Sequence, residues 1–162
     1  MKYQPIMAAS GYVLSQDKKQ VLMLHRNARE SDDSLGKWMG IGGKMAADED
    51  IVTCLKREAL EEAGIICTKF RLRGTINWTG FGPRAENWFG FLFLIEEYSG
   101  LIKTSNPEGT LHWVPTEEIY SLNLWKGDLH FLPLLFDEDP RVFHAHMAYD
   151  QDEVALWRFE RI

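Results

Sequence analysis

Three glutamates crowd one face of a single helical segment. The run Arg57-Glu58-Ala59-Leu60-Glu61-Glu62-Ala63-Gly64 closes a stretch, Asp50 to Ala63, with the marks of an α-helix. Ile51, Leu55, Ala59 and Ala63 recur at helical spacing and supply a face to pack on a sheet. Asp48, Glu49 and Asp50 lie at its start, where negative charge complements the helix dipole, and Gly64 fits a C-terminal stop. At about 100° per residue, Glu61 projects about 60° to one side of Glu58 and Glu62 about 40° to the other. Like charges at that spacing destabilise an isolated helix by about 0.2–0.5 kcal/mol per pair. A bound divalent cation reverses the sign. Hard carboxylate oxygens suit Mg²⁺, with Mn²⁺ as a substitute. Arg57 precedes Glu61 by one helical turn and is expected to pair with it.

A carboxylate triplet alone is more often a solvated acidic face. The flanking residues change that weighting. Gly43, Glu49, Arg57, Glu58, Glu61, Glu62, Gly64 and Ile65 fall into one long pattern of fixed spacing.

The remaining chain fits one globular domain over 1–162. The net charge of −6 disfavours general binding to nucleic-acid duplexes. An acidic protein still binds a polyphosphate through a local cationic pocket or a divalent metal. Cys54 and Cys67 form no C-x-x-C pair and are expected as buried free thiols. The segment Met1 to Pro5 does not read as a leader peptide. The longest apolar stretch, Phe89 to Ile95, is too short to span a membrane. A cytoplasmic protein is the expectation.

Strands are expected at Ile6–Leu14 and Val21–His25, with a turn at Asp17-Lys18-Lys19. Asn27–Lys37 is polar and reads as an exposed loop, followed by a glycine-rich bend at Gly40–Gly43. Further strands are expected at Phe70–Trp78, Trp88–Glu96 and Leu111–Val114. A helix start is expected near Pro115–Glu118 with Thr116 as N-cap, and a short helix at Gly127–Phe136. Arg141–Met147 and Glu153–Phe159 read as a closing hairpin. Strands around at least one long helix give an α/β or α+β class.

The stretch from Gly43 to Ile65 resembles the Nudix box, G-x5-E-x7-R-E-U-x-E-E-x-G-U with U apolar. Ala59 stands at the first apolar position, where a larger aliphatic residue is commoner. The resemblance implies an α/β/α sandwich with a mixed β-sheet. It implies a Mg²⁺-dependent pyrophosphohydrolase acting on a nucleoside diphosphate linked to another group. It makes Glu58, Glu61, Glu62 and the Gly42 carbonyl metal ligands and gives Arg57 a part in the site. Glu49 is expected to support the loop–helix structure. Which group deprotonates water varies across the family. Glu108, in a later loop, is a further candidate ligand or base.

Similarity continues outside the box. Leu22–Asn27, Gly36–Lys44 and Leu124–Leu135 are similar to the MutT and MutX branch, whose members hydrolyse oxidised purine nucleoside triphosphates. Arg26 and Lys44 are suited to phosphate oxygens. Trp125 offers a flat face for a purine, a contact of about 1–3 kcal/mol. Asp128 is placed to hydrogen-bond a guanine-like base. Two positions depart from the pattern. Met39 stands where readers of 8-oxo-purine often carry Asn, and a thioether donates no hydrogen bond. Gly127-Asp128 stands where the human-type branch has two acidic residues.

The expected function is conversion of 8-oxo-dGTP to the monophosphate and pyrophosphate by a monomer or homodimer. One alternative is the same chemistry on an ordinary nucleoside triphosphate, a nucleotide sugar or an RNA 5′ end. The RNA end calls for a broader basic surface. A non-catalytic nucleotide-sensing or protein-binding module is a third possibility. Such modules tend to lose the metal-binding glutamates that this chain keeps.

Overall fold

A computed structural model describes residues 2–162. Met1, part of the segment read above for a leader, lies outside the described residues.

The elements run β1 (Ile6–Val13), β2 (Gln20–His25), β3 (Trp38–Met39), β4 (Ile41–Lys44), α1 (Ile51–Ala63), β5 (Ile66–Phe81) and β6 (Glu86–Ser99). They continue with β7 (Ser105–Asn106), β8 (Gly109–Pro115), a 3₁₀ turn (Thr116–Ser121), α2 (Asp128–Phe136), β9 (Phe143–Asp150) and β10 (Glu153–Arg161). One mixed sheet has the order β10-β9-β5-β6-β1-β4, in which β1/β6 and β5/β9 are parallel. The second sheet, β3-β2-β8-β7, is antiparallel. The expected α+β class with a mixed sheet is what forms.

Strand alternation divides the interior into two cores. Tyr12, Met23, Leu92 and Leu94 point to one core with Phe131, Leu132 and Leu135 of α2. Val13, Leu22, Leu24, Phe93 and Ile95 point to the other with Leu55, Ala59 and Ala63 of α1. The central strands are thus buried on both faces. Cys54 and Cys67 are buried free thiols as expected.

Helix α1 begins and ends where the sequence places it. Asp50 is the N-cap, accepting from the Thr53 amide at 2.8 Å. Gly64 closes the helix at φ +75°, a left-handed conformation that favours glycine.

Several expectations need correction. The glycine-rich bend is strand β3, Gly40 and strand β4, because Ile41–Lys44 pair with Ala8–Gly11 of β1. Thr116 is not an N-cap. Its hydroxyl donates to the Lys19 carbonyl, and the turn it opens is 3₁₀ with no side-chain cap. Asn27–Lys37 is not merely an exposed loop. Arg26 draws Asp32 inward through a bidentate pair at 2.7 and 3.0 Å.

Arg73 of β5 is fully buried. It donates to the carbonyls of Leu134, Leu135, Asp137 and Asp139, tying β5 to the end of α2. Arg161 of β10 joins through Asp137 and Leu134. No helix among the described residues is long and apolar enough to cross a membrane.

Candidate active site

A cleft of about 820 Å³ opens over β1 and β4. Its walls come from the loop after β2 (Arg26, Arg29, Asp32), the β5–β6 hairpin (Phe81, Arg84, Glu86) and the start of α2. Arg26, Met39, Gly42, Lys44, Glu58, Glu62, Glu108, Trp125 and Asp128 all line it. Arg57 and Glu61 do not.

The carboxylate end is built by close backbone packing. The Gly42 amide donates to Glu62 at 2.9 Å, which binds β4 to the last turn of α1. Gly42 has φ +152°, and a β-carbon there would meet the Ala9 carbonyl oxygen at 2.1 Å. Glu108 comes from the β7–β8 turn. Asn106 accepts from the Glu108 amide at 2.8 Å and donates to the Glu62 carbonyl at 3.0 Å. One side chain therefore sets the distance between the later carboxylate and the helix.

Arg57 makes the expected pair with Glu61 and two closer ones besides. Its main partner is Glu49, at 2.6 and 3.0 Å, with Glu58 at 2.8 Å. Glu61 lies 3.5 Å away, and its side chain is 60% exposed. The two-pronged geometry of Glu49 outcompetes the one-turn pairing. Glu49 is held low, at about 2, first by the Arg57 hydrogen bond and then by the Ala46 amide. Its support for the loop–helix junction is visible in those contacts.

Charge at this end is unbalanced. Burial pushes the Glu62 carboxyl up to about 8, and Glu108 and Glu58 add repulsion. Burial also raises Glu58, although Arg57 opposes the shift. Among the described residues, no three His, Cys, Asp or Glu groups already surround one point. Arg57 pairs with Glu58 instead, and Arg26 with Glu108 at 3.0 Å. The donor set still fits a hard divalent cation. Buried, mutually repelling carboxylates without imidazole or thiolate suit Mg²⁺ or Mn²⁺.

The other end is aromatic. Trp125 meets the edge of Phe81 at 4.9 Å. Asp128, at the start of α2, is buried beneath it, and burial pushes its carboxyl up to about 8 against the pull of Lys37. Gly127 explains the missing second acid. A β-carbon there would lie 2.2 Å from Met147 Sδ and 2.4 Å from the Tyr149 hydroxyl. Met39 contributes a sulfur 3.8 Å from the Arg26 guanidinium.

Phe81, Tyr12 and Asp32 also line the cleft, and sequence reasoning missed them. Phe81 sits at a hairpin end and Asp32 in a polar run, so neither carries a local signal. Tyr12 lies within the strand expected at Ile6–Leu14, which by itself marks no site.

Residues 5–135 match the NUDIX domain family. A Nudix hydrolase of Bacillus subtilis is 30% identical over 151 residues, 91% of this chain and 90% of its own. The mouse oxidized purine nucleoside triphosphate hydrolase is 28% identical over 128 residues, 78% of this chain and 80% of its own. The crystal structure of a MutT protein from Bacillus halodurans superposes with a TM-score of 0.81 at 28% identity, covering 96% of this chain and 97% of that one. Nudix hydrolases use divalent cations and act on nucleotide-like substrates, which agrees with a cleft carboxylate-rich at one end and aromatic at the other. The chain belongs to the Nudix hydrolase family and is a pyrophosphohydrolase.

Proposed function

We propose that the protein hydrolyses a purine nucleoside triphosphate, 8-oxo-dGTP foremost, to the monophosphate and pyrophosphate with Mg²⁺. The observation that carries this reading is one cleft with Glu58, Glu62 and Glu108 at one end and Trp125 above Asp128 at the other.

Glu58, Glu62, Glu108 and the Gly42 carbonyl would hold the metal. Glu61 would join by a change of side-chain rotamer, since it shares the helix face. When bound, Mg²⁺ lowers the pKa of water and neutralises charge on the phosphates. Arg26 is clamped by Asp32 and directs its remaining donor at Glu108, and with Glu108 serving as a metal ligand that donor would be free for a phosphate oxygen. Lys44, resting on Trp88, adds a second cation toward the phosphates. Arg57 keeps Glu58 aimed, through its grip on Glu49. Trp125 stacks on the base. Asp128, neutral at pH 7, offers one donor and one acceptor. That pair matches the N1–H and C6=O edge of guanine.

Met39 favours a second reading, in which ordinary purine nucleoside triphosphates are taken equally well. Its sulfur supplies no donor to the 8-oxo group. Strands β9 and β10 lie beyond the matched residues yet complete the mixed sheet, which supports one domain over 1–162. A cytoplasmic monomer or homodimer is part of the same reading.

The test is kcat/KM with Mg²⁺ for 8-oxo-dGTP, dGTP, dATP, ADP-ribose and triphosphorylated RNA. A clear preference for 8-oxo-dGTP supports the first reading. Equal or better turnover of dGTP moves the assignment to the second. Preference for ADP-ribose or RNA sinks both.

A further inference from the structure

Lys37 is not part of the cleft wall but touches Trp125, the residue read as the base platform. Its ammonium lies 4.8 Å from the centre of the Trp125 ring. It donates to Asn123 Oδ1 and to the Leu124 carbonyl, both at 3.3 Å. Trp125 lines the cleft and Lys37 does not, so the cation contacts the indole without entering the cleft wall. Phe81 meets the same indole at 4.9 Å.

The backbone around Lys37 is pinned. Trp38 donates its amide to the Asn123 carbonyl at 3.1 Å, and Asn123 donates its side-chain amide to Gly36 at 3.0 Å. Arg26, at the phosphate end, donates its amide to the Lys37 carbonyl at 2.9 Å. The ammonium is thus held by a fixed strap rather than by a free surface side chain.

Asp128 is faced by Tyr12 from β1, Tyr149 from β9 and Lys37 from this strap. Both tyrosines are neutral, since burial raises their hydroxyls further from pH 7. Lys37 supplies the positive charge that opposes the burial of Asp128.

We propose that Lys37 is a positioning residue for base recognition: it fixes the Trp125 indole and places a cation beside Asp128. It touches no substrate. The proposal rests on Trp125 and Asp128 being the base site. A cation over an indole polarises and orients the ring. Losing it frees Trp125 to rotate and weakens base stacking.

The test compares wild type with Lys37→Met, Lys37→Gln and Lys37→Arg. Met removes charge and hydrogen bonds. Gln keeps a donor for Asn123 or Leu124 without the charge. The first readout is the Kd of 8-oxo-dGMP without metal, measured by calorimetry across pH 6–9. The second is kcat and KM for the preferred nucleotide with Mg²⁺. Met and Gln are expected to raise Kd and KM about tenfold, with kcat within about twofold. The pH at which binding changes moves upward in both, and Arg restores binding. Unchanged Kd and KM in Met and Gln overturn the proposal. So does a loss in Met that Gln repairs, which makes the hydrogen bonds and not the charge responsible. If wild type binds the monophosphate and the variants bind it equally, the inference fails while the proposed function stands. If wild type binds no purine nucleotide, both fail.

Discussion

The carboxyl carbon of Glu58 lies 2.4 Å from the point where a β-carbon on Gly43 would sit. The Glu58 carboxyl lies so close over Gly43 that only a hydrogen fits beneath it. The glycine opening the fixed-spacing pattern is thus part of the carboxylate site. Gly43→Ala is expected to push Glu58 aside and lower kcat/KM about a hundredfold, the scale of a 1 Å misplacement. Steady-state kinetics with a thermal melt checks it. Unchanged kinetics would show that Glu58 need not sit where it does.

Glu62 and Glu61 are adjacent but differently placed, one buried against the Gly42 amide and one exposed. Glu62→Gln keeps the amide contact and loses the charge. It is expected to lose more than about a hundredfold in metal-dependent turnover, beyond what outer metal partners cost. Glu61→Gln is expected to lose turnover also, since its carboxylate belongs to the proposed ligand set. If Glu61→Gln keeps full activity, the ligand set reduces to Glu58, Glu62 and Glu108.

Asp128 links stability to pH. Its folded pKa, about 8, lies above the ordinary 3.8. The folded state therefore binds more protons than the unfolded one between those values, and stability falls as pH rises through that window. The contribution is complete below about pH 4 and lost above about 8. Asp128→Asn should flatten the decline in denaturation free energy between pH 5 and 8. An unchanged slope would mean that Asp128 ionises normally.

Trp125→Ala removes the stacking face and leaves the carboxylate end intact. KM should rise about tenfold or more, with a smaller change in kcat. Unchanged KM would remove Trp125 from the base site.

Arg73 lies far from the chemistry in role. Arg73→Ala strands four carbonyl acceptors at the end of α2 and opens a cavity in the core. A loss of about 3 kcal/mol or more is expected in urea denaturation. A loss below about 1 kcal/mol would mean that water replaces the guanidinium.

Helix α1 was legible because its signals are local. Asp50, Gly64 and the spacing of Leu55, Ala59 and Ala63 need no other part of the chain. The one-turn pairing of Arg57 with Glu61 was legible from helical spacing, whereas only tertiary packing brings Glu49 into two-pronged range. Thr116 failed as an N-cap because the Lys19 carbonyl, distant in sequence, claims its hydroxyl.

The sequence by itself determined the reaction class, because six glycine and carboxylate positions at fixed spacing are enough to specify one loop–helix unit. It also placed the apolar face of α1, through helical spacing. Only the tertiary structure decided which carboxylates enter the cleft, how Asn106 ties Glu108 to Glu62, and why Gly127 leaves Asp128 as the single acid. These are contacts between segments far apart in the chain. They depend on where two sheets and a helix meet, a distance that no local pattern encodes.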